Sequence, residues 1–251
     1  LNAIFEAATI IDKSIDSQSR YHVDLLLNTV AALIPSNEDE SVETNGFGKS
    51  PVWFAAENGH LKCLHVLHKA GCNMEQINYV HLYETPIFGA VKNGHLDCVK
   101  FFHEIGCNLD FQNESKNTPI MIATLKKHLK CISFLYEVGC DLKLENDGGE
   151  TITHWFAEFT KYHVMKGLHA RGCDMEKQDK YGNTPAHYAA GSNNFSCLYF
   201  LYEIGCNLSY ENFRNQTPLE YAKSFSKIVD TQECVEFLQT LANEKQAIAM
   251  V

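Results

Sequence analysis

Basic charge is scarce in this chain of 251 residues: 21 lysines and arginines stand against 31 acidic residues, a formal charge of −10. Nucleic-acid binders carry a basic face or stripe, so no nucleic-acid partner is expected. Long apolar runs are missing too. No stretch approaches the roughly 18 uninterrupted apolar residues a bilayer-spanning helix needs. There is no His-Glu-x-x-His, no Gly-x-Ser-x-Gly and no paired Cys-x-x-Cys. Gly48-Lys49-Ser50 imitates the end of a phosphate-binding loop, but Glu43 stands where that loop requires its first glycine, and no apolar strand precedes it. These absences leave no catalytic residue, metal site or cofactor to assign. Because the chain begins at Leu1 rather than at a methionine, a targeting signal ahead of it would not be visible. What the chain does have is 45% hydrophobic residues, enough for a sizeable core, and ten cysteines.

The cysteines are spaced regularly. Gly-Cys, followed by Asn or Asp and then Met or Leu, begins at Gly71, Gly106, Gly139, Gly172 and Gly205, in steps of 35, 33, 33 and 33. A second row, Cys63, Cys98, Cys131 and Cys197, precedes most of these, with Val164 in the fourth unit. A third series marks the start of each unit: Ser50-Pro51, Thr85-Pro86, Thr118-Pro119, Thr151-Ile152, Thr184-Pro185 and Thr217-Pro218. Cys234 joins the second row if a short insertion lies near Ser226–Asp230. The period is that of a repeat protein.

Within a unit the proline suits the first turn of a helix, where its missing N–H has no helical partner to lose. Ala55-Ala56 allows close packing, and Gly59 ends that helix. Cys98, Val99, Phe101, Phe102 and Ile105 then form an apolar stripe at helical spacing, closed by Gly106. A polar stretch rich in Asn, Asp and Gly follows and reads as a turn or hairpin. Such a helix pair cannot bury its apolar faces alone and must stack on its neighbours.

Thr184-Pro185-Ala186-His187-Tyr188-Ala189-Ala190, Ser50-Pro51-Val52-Trp53-Phe54-Ala55-Ala56-Glu57-Asn58-Gly59-His60 and Thr217-Pro218-Leu219, with the repeat period, resemble the ankyrin repeat. The resemblance implies an all-α solenoid of helix-turn-helix units with hairpin-like fingers. Six units are expected over residues 45–243, starting near 45, 80, 113, 146, 179 and 212. Residues 1–44 read as a degenerate helical cap and an acidic loop, and 244–251 as a tail. The fourth unit departs from the pattern, with Ile152 for the proline, Phe156 for the first alanine, Thr160 for the glycine, and Gly167 where other units place Val66, Phe101, Phe134 or Phe200. The Phe156 ring is expected to fill the space left opposite Gly167, a volume-conserving exchange. The fourth unit is expected to be the softest, since glycine inside a helix costs about 1 kcal/mol.

Equivalent positions of stacked helix pairs lie roughly 8–10 Å apart, beyond the roughly 7 Å that a disulfide spans, so the cysteines read as packing residues. Unpaired cysteines point to the cytosol, where sequons at Asn113, Asn194, Asn207 and Asn215 carry no meaning. His60-x-x-Cys63, His95-x-x-Cys98 and His128-x-x-Cys131 invite a nucleophile-and-base or zinc reading. They recur at one register, whereas catalysis needs a single assembled site. The resemblance implies instead that these histidines bridge turns by hydrogen bonds.

The resemblance also implies a concave surface of fingers and first helices that holds a protein or peptide partner. Here the fingers supply Phe47, His81, Leu82, Asp147, Glu150, Lys180, Tyr181, Phe213 and Arg214, and the helices Glu57, Lys92, Asn93, Glu158 and Phe159. Phe47, Leu82, Lys92, Phe159, Tyr181, Phe213 and Arg214 are the partner-binding candidates, aromatic residues and Arg being enriched at interface hot spots. Trp155 is assigned to the core. Two readings follow: a non-catalytic interaction module, expected to be monomeric, or a regulatory segment of a larger enzyme or channel. A small-ligand or redox-sensing domain is the variant of the second, with Trp155, Lys161 and Lys166 its only hint. Thiol titration is expected to find ten free thiols, most reached only in denaturant; a disulfide-linked pair in the native protein would contradict the packing assignment.

Overall fold

The start of each helix is set by the residue before its first turn. Ser50 is extended, and its hydroxyl accepts the Trp53 N–H at 3.2 Å; Thr85, Thr118 and Thr184 take the same backbone geometry ahead of a proline at the first helical position. The computed structural model describes residues 50–79, 83–159, 162–225 and 231–249, and these form twelve helices arranged as six pairs. The chain divides between Cys140 and Asp141 into two units of three pairs each. The first holds α1 (Pro51–Glu57), α2 (Leu61–Lys69), α3 (Pro86–Asn93), α4 (Leu96–Glu104), α5 (Pro119–Leu125) and α6 (Leu129–Glu137). The second holds α7 (Ile152–Phe159), α8 (Tyr162–Ala170), α9 (Pro185–Gly191), α10 (Phe195–Glu203), α11 (Pro218–Phe225) and α12 (Gln232–Ala249). The cap expected over 1–44 lies outside the described residues, and the last helix continues through much of the stretch read as a tail.

Within each unit the first helices of successive pairs pack against one another, as do the second helices. Between the two helices of a pair the chain reverses through a left-handed residue nine positions after the Ser or Thr, whatever its type: Gly59, Gly94, Lys127 and Asn193 have φ of 73°, 74°, 60° and 55°. The next residue closes the turn, the His95 N–H donating to the Ala90 carbonyl at 2.9 Å and the Asn194 N–H to the Ala189 carbonyl at 2.8 Å.

That residue also ties one pair to the one before it. His95 Nε2 lies 3.0 Å from the Glu57 carbonyl, and His128 Nε2 3.0 Å from the Lys92 carbonyl, so these histidines bridge turns as expected. In the second unit Asn194 does the same work, its amide donating to the Ala157 carbonyl at 2.9 Å. The ring is accommodated because the preceding pair has glycine at the turn. A Cβ on Gly59 would fall 2.6 Å from the His95 ring, and one on Gly94 2.5 Å from the His128 ring.

The Asn or Asp of the Gly-Cys motif has a local role. Asn73, Asn108, Asp141, Asp174 and Asn207 each accept the N–H two residues on at 2.8–2.9 Å, an Asx turn that starts the run toward the finger. A second Asx residue then builds the finger itself. Asn113, Asn146, Asp179 and Asn212 each accept two N–H groups of their own loop, and each donates its N–H to the carbonyl four residues on at 2.9–3.0 Å. In the first finger the bond spans six residues, Asn78 N–H to the Glu84 carbonyl at 2.8 Å, and this accounts for the single step of 35. The fingers are closed turns; the Asn78–Glu84 pairing is an isolated bridge.

The second row of cysteines is core: Cys63, Cys98, Cys131, Cys197 and Cys234 are buried, and all ten cysteines are free. The Cys197 thiol donates to the Phe156 carbonyl and the Cys234 thiol to the Ala189 carbonyl, both at 3.9 Å. Phe156 and Ala189 hold the same place in successive repeats, so Cys234 belongs to the row despite its later position. Burial pushes the Cys107, Cys140, Cys197, Cys206 and Cys234 thiols up to about 12, which suits packing rather than redox chemistry. Ring pairs add a further tie between second helices: His68 on Phe101 at 5.9 Å, His103 on Phe134 at 5.6 Å, His169 on Phe200 at 6.2 Å and Tyr202 on Phe237 at 5.6 Å. Phe156 is fully buried, as the exchange with Gly167 requires.

Gly94→Ala is expected to destabilise the protein by roughly 2–4 kcal/mol, from the left-handed backbone and the His128 ring together. Adding His128→Asn should restore part of that loss in urea melts, whereas additive losses would break the link between the two positions.

Candidate functional site

The second unit carries four of the seven partner-binding candidates, Phe159, Tyr181, Phe213 and Arg214, and its fingers are tied side by side. The Lys180 N–H donates to the Gly148 carbonyl at 2.8 Å, and the Phe213 N–H to the Tyr181 carbonyl at 2.9 Å. Gly182 permits this approach. With φ of 79° and a hypothetical Cβ only 2.8 Å from the Phe213 ring, it leaves no room for a side chain. Tyr181 and Phe213 thus stand on neighbouring, hydrogen-bonded fingers at 57% and 73% exposure. Arg214 is exposed beside Phe213, its N–H held by Asn212 Oδ1 at 2.9 Å. Lys180 Nζ lies 5.3 Å from the Tyr181 ring centre and donates to the Asp147 carbonyl at 3.2 Å.

Beneath the tips runs a row that starts from sequence register. The fourth residue after each Thr is Trp155, Tyr188 and Tyr221 in the three successive repeats, and all three are half-buried. Trp155 is therefore not wholly in the core. Its ring meets Phe159 edge-on at 6.3 Å, and its indole N–H donates to Glu150 Oε2 at 3.1 Å. The amide of Asn146 donates to the same oxygen at 2.7 Å. The Tyr188 hydroxyl reaches Glu150 Oε1 at 2.5 Å and Asp179 Oδ2 at 2.9 Å. A phenol has one proton to donate, so one hydroxyl serves two carboxylates in turn. Burial first, and then the two carboxylates, push the Tyr188 phenol far above its usual range and keep it neutral. Tyr221 is raised by burial and by Glu158, Asp179 and Glu150, with Arg214 acting in the opposite sense.

His154 and His187, each three residues after its Thr, accept the Thr N–H through Nδ1 at 3.1 and 3.0 Å. His187 Nε2 then donates to the Gln216 carbonyl at 2.9 Å. Burial holds both imidazoles below their usual range, so they are neutral struts rather than acid–base groups.

In the first unit Lys92 is committed within its own repeat. Its Nζ lies 2.5 Å from Glu84 Oε2, the Glu84 side chain is 1% exposed, and Asn113 donates to the other carboxylate oxygen at 3.2 Å. Phe47 and Leu82 lie outside the described residues. Sequence reasoning did not find Tyr188 and Asp179, although the aromatic residue at every fourth place after Thr in these three repeats was a usable signal. Among the described residues no cluster of three metal-ligating side chains occurs, and no helix is long and apolar enough to cross a membrane.

Helix pairs of fixed period, closed fingers and left-handed interhelix turns define an all-α repeat protein. The family model for ankyrin repeats (3 copies) matches residues 21–101, 53–146, 87–172 and 153–247, and the chain belongs to the ankyrin-repeat family. Among solved structures, the chain is similar to one in the complex of the Bd0816 predatory endopeptidase from Bdellovibrio bacteriovorus with the immunity protein Bd3460. The TM-score is 0.64 at 23% identity, over 74% of this chain and 96% of that one, a likeness of fold. A search of the curated proteins finds no match.

Tyr188→Phe is expected to destabilise the second unit by about 1–3 kcal/mol, because two carboxylates lose a shared donor. Chemical denaturation at neutral pH checks this, and an unchanged midpoint would remove the bridge from the account.

Proposed function

We propose that the protein is a non-catalytic interaction module that holds a protein or peptide partner on its finger and first-helix face. The observation that carries this reading is the pair Tyr181 and Phe213, large rings exposed on fingers whose backbones are bonded to each other. A partner meeting them loses little further freedom in the loops, and pre-ordered aromatic anchors are what interfaces use for most of their affinity. Arg214 at the tip and Phe159 against Trp155 extend the same face. Membership of a family whose repeats serve as protein-interaction modules supports the reading, and the solved complex that contains the similar chain joins an endopeptidase to an immunity protein. Fold alone does not choose the partner. Buried, raised thiols fit a reducing compartment, which favours the cytosol.

Affinity capture with wild type and with the Tyr181→Ala, Phe213→Ala, Arg214→Ala triple variant tests the face. The variant is expected to lose the specific partner while keeping its helical signal. Equal recovery of every specific partner would sink the assignment.

A further inference from the structure

In each of the first five repeats the second helix is followed by a glycine in the left-handed region: Gly71, Gly106, Gly139, Gly172 and Gly205 have φ between 70° and 87°. Each stands eight residues after the second-row position, so the counterpart in the sixth repeat, eight after Cys234, is Ala242. Alanine resists that conformation, and the chain continues as helix: α12 has 18 residues, where the second helices of the earlier repeats have nine. The leucine or methionine three residues past each glycine has no counterpart either, for Lys245 takes its place.

That leucine or methionine is the plug of each inner repeat. Met74, Leu109, Leu142, Met175 and Leu208 are all buried, at 6–9% exposure. The loops that carry them stack on one another. The Cys206 thiol donates to the Met175 carbonyl at 4.0 Å and the Asn207 N–H to Glu176 Oε1 at 2.6 Å, as the Asn108 N–H does to Glu75 Oε1 at 2.6 Å. The sixth repeat sends no such loop over the fifth, since α12 runs on. At the matching position lies a cleft of about 370 Å³, walled by Cys206 and Leu208 of the fifth loop, Leu219 of α11, and Leu238, Leu241 and Ala242 of α12. Ligand pockets span about 300–1,000 Å³, so this one suits a few side chains rather than a globular surface.

We infer that this cleft receives an extended segment of a partner protein that carries a leucine or methionine two residues after a small residue, the spacing of this chain's own Cys-Asn-Leu and Cys-Asp-Met loops. The segment sits on the fifth loop as the fifth sits on the fourth, with its apolar side chain against Leu219 and Leu238. A second folded copy of the chain does not supply it, because the leucines and methionines of its own loops are buried in their repeats. The cleft shares no residue with the finger tips Tyr181, Phe213 and Arg214, so the inference adds a second surface to the interaction module and does not rest on the finger assignment.

The test uses the peptide Glu-Ile-Gly-Ala-Asn-Leu-Ser-Tyr, which is residues 203–210 of this chain with alanine for the cysteine, and the same peptide with serine for the leucine. Titrated into the whole protein labelled at its leucine methyls, the leucine peptide is expected to shift the Leu208, Leu219, Leu238 and Leu241 signals saturably, and the serine peptide to bind at least about tenfold more weakly. Ala242→Phe puts a ring in the cleft and should lower the affinity by about tenfold or more with the melting temperature kept. If it melts lower, Ala242→Gln becomes the readout, with a loss of about threefold or more expected. Glu233→Phe adds the same ring at the exposed start of α12, and both it and the finger triple variant should bind the peptide within about twofold of wild type. No saturable shift, equal binding of the two peptides, or equal effects of the Ala242 and Glu233 changes would overturn the inference. A dimer in sedimentation that Ala242→Phe dissolves, with no peptide binding, would give the cleft to a second copy instead. If the triple variant loses the peptide, the peptide sits on the fingers and the cleft assignment falls; if the peptide binds the cleft while the triple variant keeps every captured partner, only the finger face falls.

Discussion

No helix pair in this protein can bury its own apolar surface, and the structure of each unit depends on how its successive pairs are tied together. The tie is a side chain at the start of the second helix that reaches back to a carbonyl of the preceding first helix. His95, His128 and Asn194 make it at 2.9–3.0 Å. The bond satisfies a carbonyl at a helix end, where no intrahelical donor remains. It also fixes the stagger of neighbouring pairs, which lets the buried cysteines and the ring pairs of the second helices fall into register.

This tie explains a coupling between positions about a repeat apart. Where the interhelix turn has glycine, at Gly59 and Gly94, the next repeat has histidine. The ring needs the space that a Cβ would occupy. The backbone conformation alone does not demand glycine, since Lys127 and Asn193 adopt it as well. Packing against the neighbour decides the residue.

The two units put this common frame to different use. In the first, the third residue after each Ser or Thr is apolar, Trp53, Phe88 and Met121; in the second it is His154, His187 and Glu220, which cap their own helices. Polar character in the second unit continues outward through Glu150, Asp179 and Tyr188 to the finger tips. In the first unit Glu84 and Lys92 close on each other, and in the second Glu145 pairs with Lys177 at 2.8 Å. Glu150 of the second unit is instead held by neutral donors, the Asn146 amide, the Trp155 indole and the Tyr188 hydroxyl.

Period, helix starts, the left-handed glycines and the fate of the cysteines were legible in the sequence, because each depends on local chemistry that repeats: a proline in a first turn, a glycine at positive φ, a small apolar thiol on a buried stripe. The finger-tip residues Tyr181 and Phe213 were legible too, since register from the Thr places them. The sequence alone did not show that the Asx residues Asn113, Asn146, Asp179 and Asn212 build the fingers, for a turn-rich stretch offers many candidate acceptors and only the folded loop selects one. Nor did it show that Lys92 is consumed by Glu84, or that Tyr188 stands between Glu150 and Asp179, residues 38 and 9 positions away. Sequence by itself determined the repeating unit, since that rests on contacts within about one period. The tertiary structure decided which charged and aromatic side chains neighbouring repeats bring together, because those distances exist only once the pairs are stacked.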